Sequence, residues 1–433
     1  LPLTIVVTLI FVAVLVLGVR RHVLTIWGVA LGFIALLISI VASVAVVSIV
    51  WWLIRMVHPA YRTILQGDVY NSSTYMIAFV ALSVALTSAL YFLFRRWLSV
   101  EDLAIGAQAV WLVLMIATSV ILPGASFLFT WPLLFSVLAL GVAFFWEQPE
   151  SVKRVAVFSA GAIPAIVIVV PVIYLVFVGL TLGMSGAVMA LVVLLTGLLI
   201  PHLSFIPKSV KWAVPAVLAA VSVGLLIAGG LTSGFDRNHT RPNSVFYAFD
   251  ADAAKAVWAS ADETTDSWTQ QFFNNATRAP LAEYFPLSQR GFLQAQAPVA
   301  QLNVPQVEVV SDQTNNNQRT LRLRVRSSRE APVVTLSVDP DVELASSAIN
   351  GKEIKGQYGP NTPWALRYHA VPQEGIEVTL VSAKATPIGI RVVDQSYSLP
   401  TDPQISIQAR PENMMPAMLP YTDSTFVTKS YKF

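Results

Sequence analysis

The sequence predicts a multi-pass α-helical membrane domain of about eight helices over residues 1–232, followed by an extracytoplasmic, all-β, sandwich-like domain over residues 233–433. Of the 433 residues, 55% are hydrophobic and 12% are charged, whereas ordinary soluble domains carry about 25% charged residues. Residues 1–232 contain 10 Lys and Arg and 5 Asp and Glu, whereas the remaining residues contain 18 and 20. This composition excludes an ordinary cytosolic enzyme, a disordered chain and a strongly nucleic-acid-binding protein.

Eight apolar stretches are long enough to cross the hydrocarbon core of a bilayer, which takes about 20 helical residues. Pro164 and Pro171 predict a kink in the sixth stretch. Only the short segment 179–183 separates the sixth stretch from the seventh, so the sequence leaves open whether they are two spans. The stretches cover residues 3–19, 26–54, 75–94, 103–122, 127–146, 155–178, 183–201 and 212–232.

Basic residues near the short loops predict the orientation of these helices. One set of loops carries eight Lys and Arg residues, and the alternate set carries Arg55 and Arg62. Because cytoplasmic loops are enriched in Lys and Arg, the first set is predicted to be cytoplasmic. Leu1 and the 233–433 domain then lie on the extracytoplasmic side, which is the periplasm in a bacterium. The eight residues are Arg20, Arg21, Arg95, Arg96, Lys153, Arg154, Lys208 and Lys211.

The cores of the predicted helices contain no Asp, Glu, Lys or Arg. Intramembrane ionisable residues mark ion paths and proton relays, so this composition argues against a pump or a proton-driven transporter but allows a carrier for neutral or lipid-like molecules. His202 is interpreted as an interfacial histidine. The first outer loop, residues 55–74, carries Arg55, His58, Arg62 and Asp68. A solvated loop explains this set more simply than the metal-holding loop of a membrane glycosyltransferase.

After Gly234 the pattern changes to alternation of apolar and polar residues. Three apolar residues alternate with three arginines over residues 319–326, which predicts a strand with one buried face. The arginine row is interpreted as a solvated sheet face, and an anionic-ligand surface for phospholipid headgroups is the alternative. The apolar residues are Leu321, Leu323 and Val325, and the arginines are Arg322, Arg324 and Arg326.

Turn residues separate further short strands, which favours a β-sandwich that folds independently of the helices. A helix is predicted at 265–274 with Asp262 or Thr264 as its cap, and residues 278–306 are predicted to be irregular. The alternative to independent folding is an apolar docking face. The predicted strands cover 244–249, 255–260, 333–338, 364–370, 376–381 and 388–393, with turns at 350–351, 358–361 and 373–375. The suspected docking residues are Trp258, Trp268, Phe272, Phe273, Tyr284 and Phe285.

The residue types that carry chemistry are sparse and scattered. The absence of cysteine excludes disulfides, thiolate zinc sites and cysteine nucleophiles. The sequence has no His-Glu-x-x-His, His-x-Asp, Glu-Glu or Gly-x-Ser-x-Gly motif and no phosphate-cradling glycine loop. The pairs Asp250/Asp252 and Asp339/Asp341 are interpreted as turn residues at strand ends. We therefore assign no catalytic, metal-binding or cofactor-binding residue to this chain. Its isolated histidines are His22, His58, His202, His239 and His369.

Five stretches carry a resemblance to a known family. They are Phe127–Leu134 in the membrane half and Arg241–Tyr247, Ile349–Lys352, Val393–Tyr397 and Val427–Phe433 in the outer half. These stretches are similar to the C-terminal portion of membrane-anchored zinc metallopeptidases of family twenty-eight. That group comprises the bacterial relatives of endoplasmic reticulum metallopeptidase and the vacuolar membrane protease.

The resemblance implies a zinc aminopeptidase domain, then a membrane region, then an outer β-domain on the same side of the bilayer as the peptidase. The zinc ligands and the acidic general base belong to the peptidase domain, so no residue of this chain takes either role. Because the chain begins at Leu1 inside an apolar run, we expect that the peptidase domain precedes it. The expected partners are the lipid bilayer, that domain and, through it, peptide substrates. Two alternatives stay open: a non-catalytic carrier or scaffold with a sensory β-domain, and a lipid-linked glycosyltransferase.

Overall fold

A computed structural model describes residues 2–62, 64, 67, 69–145, 152–207, 209–315, 317–354 and 364–433. The chain forms two compact units, Leu1–Gly234 and Phe235–Phe433. The first unit is helical and the second consists of β-sheets. Asp68 of the first outer loop, Lys208 and the predicted turn at 358–361 lie outside the described residues.

Among the described residues of the first unit, six helices are long and apolar enough to cross a membrane, which makes the chain a multi-pass membrane protein. They are Pro2–Arg20, Ile26–Val57, Ser72–Phe94, Val100–Ile121, Val152–Leu180 and Ala213–Leu231, while Phe127–Ala143 and Leu182–Leu198 are apolar but shorter. Eight spans therefore stay a prediction. The helices are α1 Pro2–Arg20, α2 Ile26–Val57, α3 Ser72–Phe94, α4 Val100–Ile121, α5 Phe127–Ala143, α6 Val152–Leu180, α7 Ser185–Leu198, α8 Ile200–Leu203 and α9 Ala213–Leu231.

The sixth and seventh predicted stretches form two separate helices. Helix α6 ends at Leu180, and Thr181 has a φ of 52°, a value that a right-handed helix does not allow. A short 3-10 turn over Leu182–Met184 then leads into α7. Pro164 and Pro171 both lie inside the continuous helix α6.

Polar contacts join the ends of the helices in unit 1. The backbone N–H of Thr25, just before α2, donates to Oδ1 of Asp102 in the first turn of α4 at 2.9 Å. Arg154 at the start of α6 forms an ion pair of 2.7 Å with Glu101, also at the start of α4. Helices α2, α4 and α6 therefore begin at the same end of the bundle, where the sequence places the basic loops.

The opposite end of the bundle has its own polar contacts. The hydroxyls of Thr4 in α1 and Ser119 in α4 lie 2.8 Å apart. Asn71, before α3, donates through Nδ2 to the carbonyl oxygen of Gly229 near the end of α9 at 2.7 Å. These contacts join the start of one helix to the end of another, which is the arrangement that helices of alternating direction require.

Two glycines allow α2 and α4 to cross at backbone contact. A Cβ atom added to Gly106 would lie 2.4 Å from the carbonyl carbon of Gly32 and 2.4 Å from the backbone nitrogen of Phe33. Real Cβ atoms do not approach backbone so closely, so only glycine fits at this crossing. Small residues have this role at many helix contacts in membranes, because close packing replaces the hydrophobic driving force there.

The second unit contains fifteen described strands. They are β1 Arg241–Asn243, β2 Phe246–Asp250, β3 Lys255–Ser260, β4 Thr277–Pro280, β5 Gly291–Ala297, β6 Gln306–Asn315, β7 Gln318–Arg326, β8 Val333–Val338, β9 Leu344–Ile349, β10 Lys352–Glu353, β11 Ala365–His369, β12 Ile376–Ser382, β13 Gly389–Ser396, β14 Met414–Pro416 and β15 Ser424–Lys432. One sheet has the order β10-β9-β12-β7-β6, another has the order β11-β8-β13-β15-β2-β3-β5-β4, and β1 pairs with β14.

The larger sheets face each other across one core, which confirms a β-domain and gives it the form of a sandwich. This core combines residues of β7, β9 and β12 from the five-stranded sheet with residues of β8 and β13 from the eight-stranded sheet. Leu321, Leu323 and Val325 of β7 are fully buried in it. The arginines between them point away and are exposed, as the alternation predicts.

Two sequence predictions for this unit are wrong. The predicted helix 265–274 is a single 3-10 turn over Thr269–Phe272. The carboxylate of Asp266 accepts the N–H groups of Trp268 and Thr269 at 2.9 and 2.7 Å, and this local turn competes with a longer helix. The segment 278–306, predicted to be irregular, contributes to β4 and forms β5, which pairs with both β3 and β4.

The suspected docking residues belong to the interior of the second unit. Trp258, Trp268, Phe272 and Phe273 form a second core, over one face of β2, β3 and β5. Tyr284 is also buried, and Phe285 is half-buried. The alternative of an apolar docking face made of these residues is therefore wrong, because their apolar surface is already used for packing within the unit.

Candidate functional site in the membrane unit

No group of three or more metal-ligating side chains exists among the described residues. Two of the isolated histidines, His58 and His239, have separate local partners. Nδ1 of His58 lies 3.0 Å from the hydroxyl of Ser233, and Nδ1 of His239 lies 3.2 Å from Asp236.

The acidic pair Asp250/Asp252 has a structural role in a turn. Oδ1 of Asp250 accepts the N–H groups of Asp252 and Ala253 at 2.8 and 3.1 Å, which closes the turn between β2 and β3. Asp252 pairs with Lys429 at 2.7 Å and accepts the N–H of Ser430. These bonds account for the carboxylates of this pair, as the turn interpretation predicts.

The first outer loop is held by contacts within unit 1. Nε of Arg62 donates to the carbonyl oxygen of Arg55 at 3.0 Å. The ring of Tyr61 stacks on Trp51 with centroids 6.1 Å apart, and its hydroxyl donates to Asn71. The described side chains of this loop therefore stabilise the loop itself.

The arginine row of β7 faces carboxylates on the neighbouring strands. Arg322 lies 2.5 Å from Glu377 of β12, and Arg326 lies 3.2 Å from Glu308 of β6. This pairing neutralises much of the row, so its arrangement fits a solvated sheet face better than a surface for anionic ligands.

A buried ion pair lies where the eight-stranded sheet meets the turn after β7. The carboxylate of Asp394 is fully buried, lies 2.7 Å from Nη2 of Arg329 and accepts from the hydroxyl of Ser327. Burial raises the pKa of Asp394, and the guanidinium of Arg329 opposes that rise. Because Arg329 also donates to Ser396, the pair ties β13 to the turn, which is a structural role.

An apolar groove lies between α3 and α6, both of which pack on α7. Its cavity volume is about 940 Å³, near the upper end of the roughly 300–1,000 Å³ typical of ligand sites. Its lining runs from Ser73 to Ser88 on α3 and from Ser159 to Tyr174 on α6, and the described lining residues include no Asp, Glu, Lys or Arg. We call this feature the α3–α6 groove.

At the end where α6 begins, the lining of the α3–α6 groove includes Ser159 and His202. Oγ of Ser159 lies 3.4 Å from Nε2 of His202. Ser88 is fully buried, and its hydroxyl has no hydrogen-bond partner among the described residues. The sequence interpretation of His202 as an interfacial residue missed this arrangement, because the groove exists only once α3 and α6 are packed on α7.

A second, smaller cavity of about 230 Å³ lies in the β-domain against Tyr284, Leu287 and Arg367. It is below the usual size of a ligand site. The α3–α6 groove is therefore the candidate binding site that the geometry favours.

No protein-family model matches this chain, and neither a curated protein nor a solved structure is significantly similar to it.

Proposed function

We propose that this chain is the membrane-anchoring and accessory portion of an extracytoplasmic zinc-dependent exopeptidase. A peptidase domain N-terminal to Leu1 carries the hydrolysis, and the β-domain lies on the same side of the membrane. In that domain zinc would lower the pKa of a bound water molecule and polarise the scissile carbonyl. The basic-residue bias of the loops supports this orientation.

One structural observation supports the proposal most strongly: three of the family-like stretches lie on adjacent strands. Arg241–Tyr247 covers β1 and the start of β2, Val393–Tyr397 covers the end of β13, and Val427–Phe433 covers most of β15. The strands β13, β15 and β2 are consecutive neighbours in the eight-stranded sheet. The stretches that carry the resemblance thus lie in the centre of one sheet, where proteins that share a domain fold are expected to resemble each other.

The buried polar residues of these stretches fit the same interpretation. Asn243 donates through Nδ2 to Asp266 at 2.9 Å and accepts from Nε of Arg410 at 3.0 Å. Gln395 donates to the hydroxyl of Ser424 at 3.0 Å. Since these side chains bind other parts of the β-domain, their roles are architectural, which suits an accessory domain.

The coding sequence upstream of Leu1 tests this proposal. We expect an open reading frame that continues upstream and encodes a domain with His-x-Asp and Glu-Glu motifs. A start codon at residue 1 would contradict the proposal and support the carrier, the scaffold or the glycosyltransferase. As a biochemical control, the 1–433 chain alone is expected to cleave no aminoacyl substrate.

A further inference from the structure

We propose that the α3–α6 groove binds one two-chain phospholipid, with its acyl chains along α7 and its head group at the end marked by Ser159 and His202. This inference rests on the geometry of unit 1 alone and holds whether or not a peptidase domain precedes the chain. It assigns a specific lipid site to a face that would otherwise be only a surface in contact with the bilayer.

The dimensions of the groove fit a lipid. Its lining on α3 extends from Ser73 to Ser88, which at about 1.5 Å per residue is roughly 22 Å, most of the roughly 30 Å hydrocarbon core. A methylene group takes about the volume of a water molecule in the liquid, roughly 30 Å³. The cavity of about 940 Å³ therefore holds about 30 methylene groups, or two chains of about 15 each.

The rim opens toward the surroundings of the bundle. Ile77 on α3 and Ile163 and Tyr174 on α6 are 57%, 58% and 57% exposed. In a bilayer these side chains face hydrocarbon, so a lipid enters the groove from the side without crossing a polar barrier. The floor, made by Val192 and Leu195 of α7, is buried and apolar.

The polar end provides groups for a glycerophosphate. Ser159 is exposed next to His202, so a hydroxyl and an imidazole can hydrogen-bond to phosphate oxygens. Lys153, exposed in the first turn of the same helix, brings a positive charge to this end. The buried hydroxyl of Ser88 lacks an acceptor among the described residues, and an ester carbonyl of the lipid would supply one.

The experiment uses the 1–433 chain in nanodiscs of phosphatidylglycerol that carries a photoreactive group on one acyl chain. We expect native mass spectrometry, after release into mild detergent, to show one retained phospholipid per chain. Crosslinks are expected on peptides of α3, α6 and α7. Val84→Trp, which places a bulky side chain in the groove, should lower occupancy at least tenfold. The matched variant Val217→Trp, on exposed α9, should keep it.

Further variants keep the test decisive. If Val84→Trp does not fold, Ile166→Trp fills the groove from the α6 side and should give the same loss. The double variant Ser159→Ala and His202→Ala should abolish a preference of about tenfold for phosphatidylglycerol over diacylglycerol, which has the same chains but no phosphate. The proposal would be overturned if Val84→Trp and Val217→Trp retained the phospholipid equally well. It would also be overturned if the crosslinks formed on α9 as often as on α3, α6 and α7. Crosslinks only to a second copy of the chain would overturn it as well.

Discussion

The buried carboxyl of Asp262 makes the stability of the β-domain depend on pH. Asp262 follows β3 and is almost fully buried. Its Oδ2 accepts the N–H of Ser244 at 2.8 Å, while its Oδ1 has no partner among the described residues. Burial raises the pKa of Asp262 to about 6, from an ordinary value of 3.8, and the neighbouring charge of Asp266 adds to the rise.

The sign of the effect follows from proton binding. Between pH 3.8 and about 6, the folded state holds a proton on Asp262 that the unfolded state has lost. The free energy of unfolding therefore falls as pH rises through this window, by roughly 1.4 kcal/mol per pH unit. For a pKa that moves from 3.8 to about 6, the total loss is about 3 kcal/mol.

The perturbation is Asp262→Asn, which retains an acceptor for the N–H of Ser244 and cannot ionise. We expect the variant to gain about 3 kcal/mol over the wild type at pH 7 and almost nothing at pH 4. Burial raises the pKa of the neighbouring Asp266, but the hydrogen bonds that its carboxylate accepts outweigh burial and hold that pKa below its ordinary value of 3.8. Asp266 therefore titrates outside this window.

The assay is urea unfolding of the segment 235–433, followed by the fluorescence of its buried tryptophans between pH 4 and 7.5. This segment is a compact unit with its own cores, and we expect it to be soluble and to unfold in one transition. Asp341→Asn, at an exposed turn, is the matched control. A stability difference between Asp262→Asn and the wild type that stays constant over this range would refute the reasoning.

Three further predictions concern the remaining architecture. A reporter that is active only in the cytoplasm, fused after Phe433, should be silent, and activity would show that the orientation or the number of spans is wrong. Arg329→Met leaves the buried Asp394 carboxylate unpaired and should lower the free energy of unfolding in urea by about 3–5 kcal/mol. Arg322→Met, at an exposed ion pair, should lower it by less than about 1 kcal/mol. Equal losses would contradict the structural role of the buried pair. Gly106→Ala should destabilise the helical unit by about 1–3 kcal/mol through overpacking and lower its melting temperature in detergent. Gly179→Ala, where an added Cβ meets no atom within 4 Å, should leave the melting temperature unchanged. If neither variant changed the melting temperature, the close crossing of α2 and α4 would be refuted.

Local patterns in the sequence predict much of the architecture. The strands Lys255–Ser260 and Val333–Val338 agree with their predicted ranges residue for residue, because alternation and flanking turn residues are local signals. The turn at Asn350-Gly351 has a positive φ at both residues, as such a pair predicts between two strands. The apolar runs likewise predict the helices, because bilayer thickness sets a length that composition alone can meet.

Features that depend on tertiary contacts could not be predicted in this way. Strand β5 is rich in Ala and Gln, has a weak strand propensity and is stabilised by pairing on both sides. The parallel pairing of β15 with β2 joins opposite ends of the domain, which no short pattern reveals. The α3–α6 groove depends on the spacing of two helices on α7, so the apolar sequence that lines it looks like any other lipid-facing surface.

The proposed function is tested most directly by isolating, from its native membrane, the polypeptide that contains this chain, with an antibody raised against the β-domain. We predict that this polypeptide carries a domain N-terminal to Leu1, contains stoichiometric zinc, and releases N-terminal residues from peptides added on the extracytoplasmic side. A chelator should abolish that activity. A native polypeptide that begins at Leu1, or one that contains neither zinc nor exopeptidase activity, would contradict the proposal.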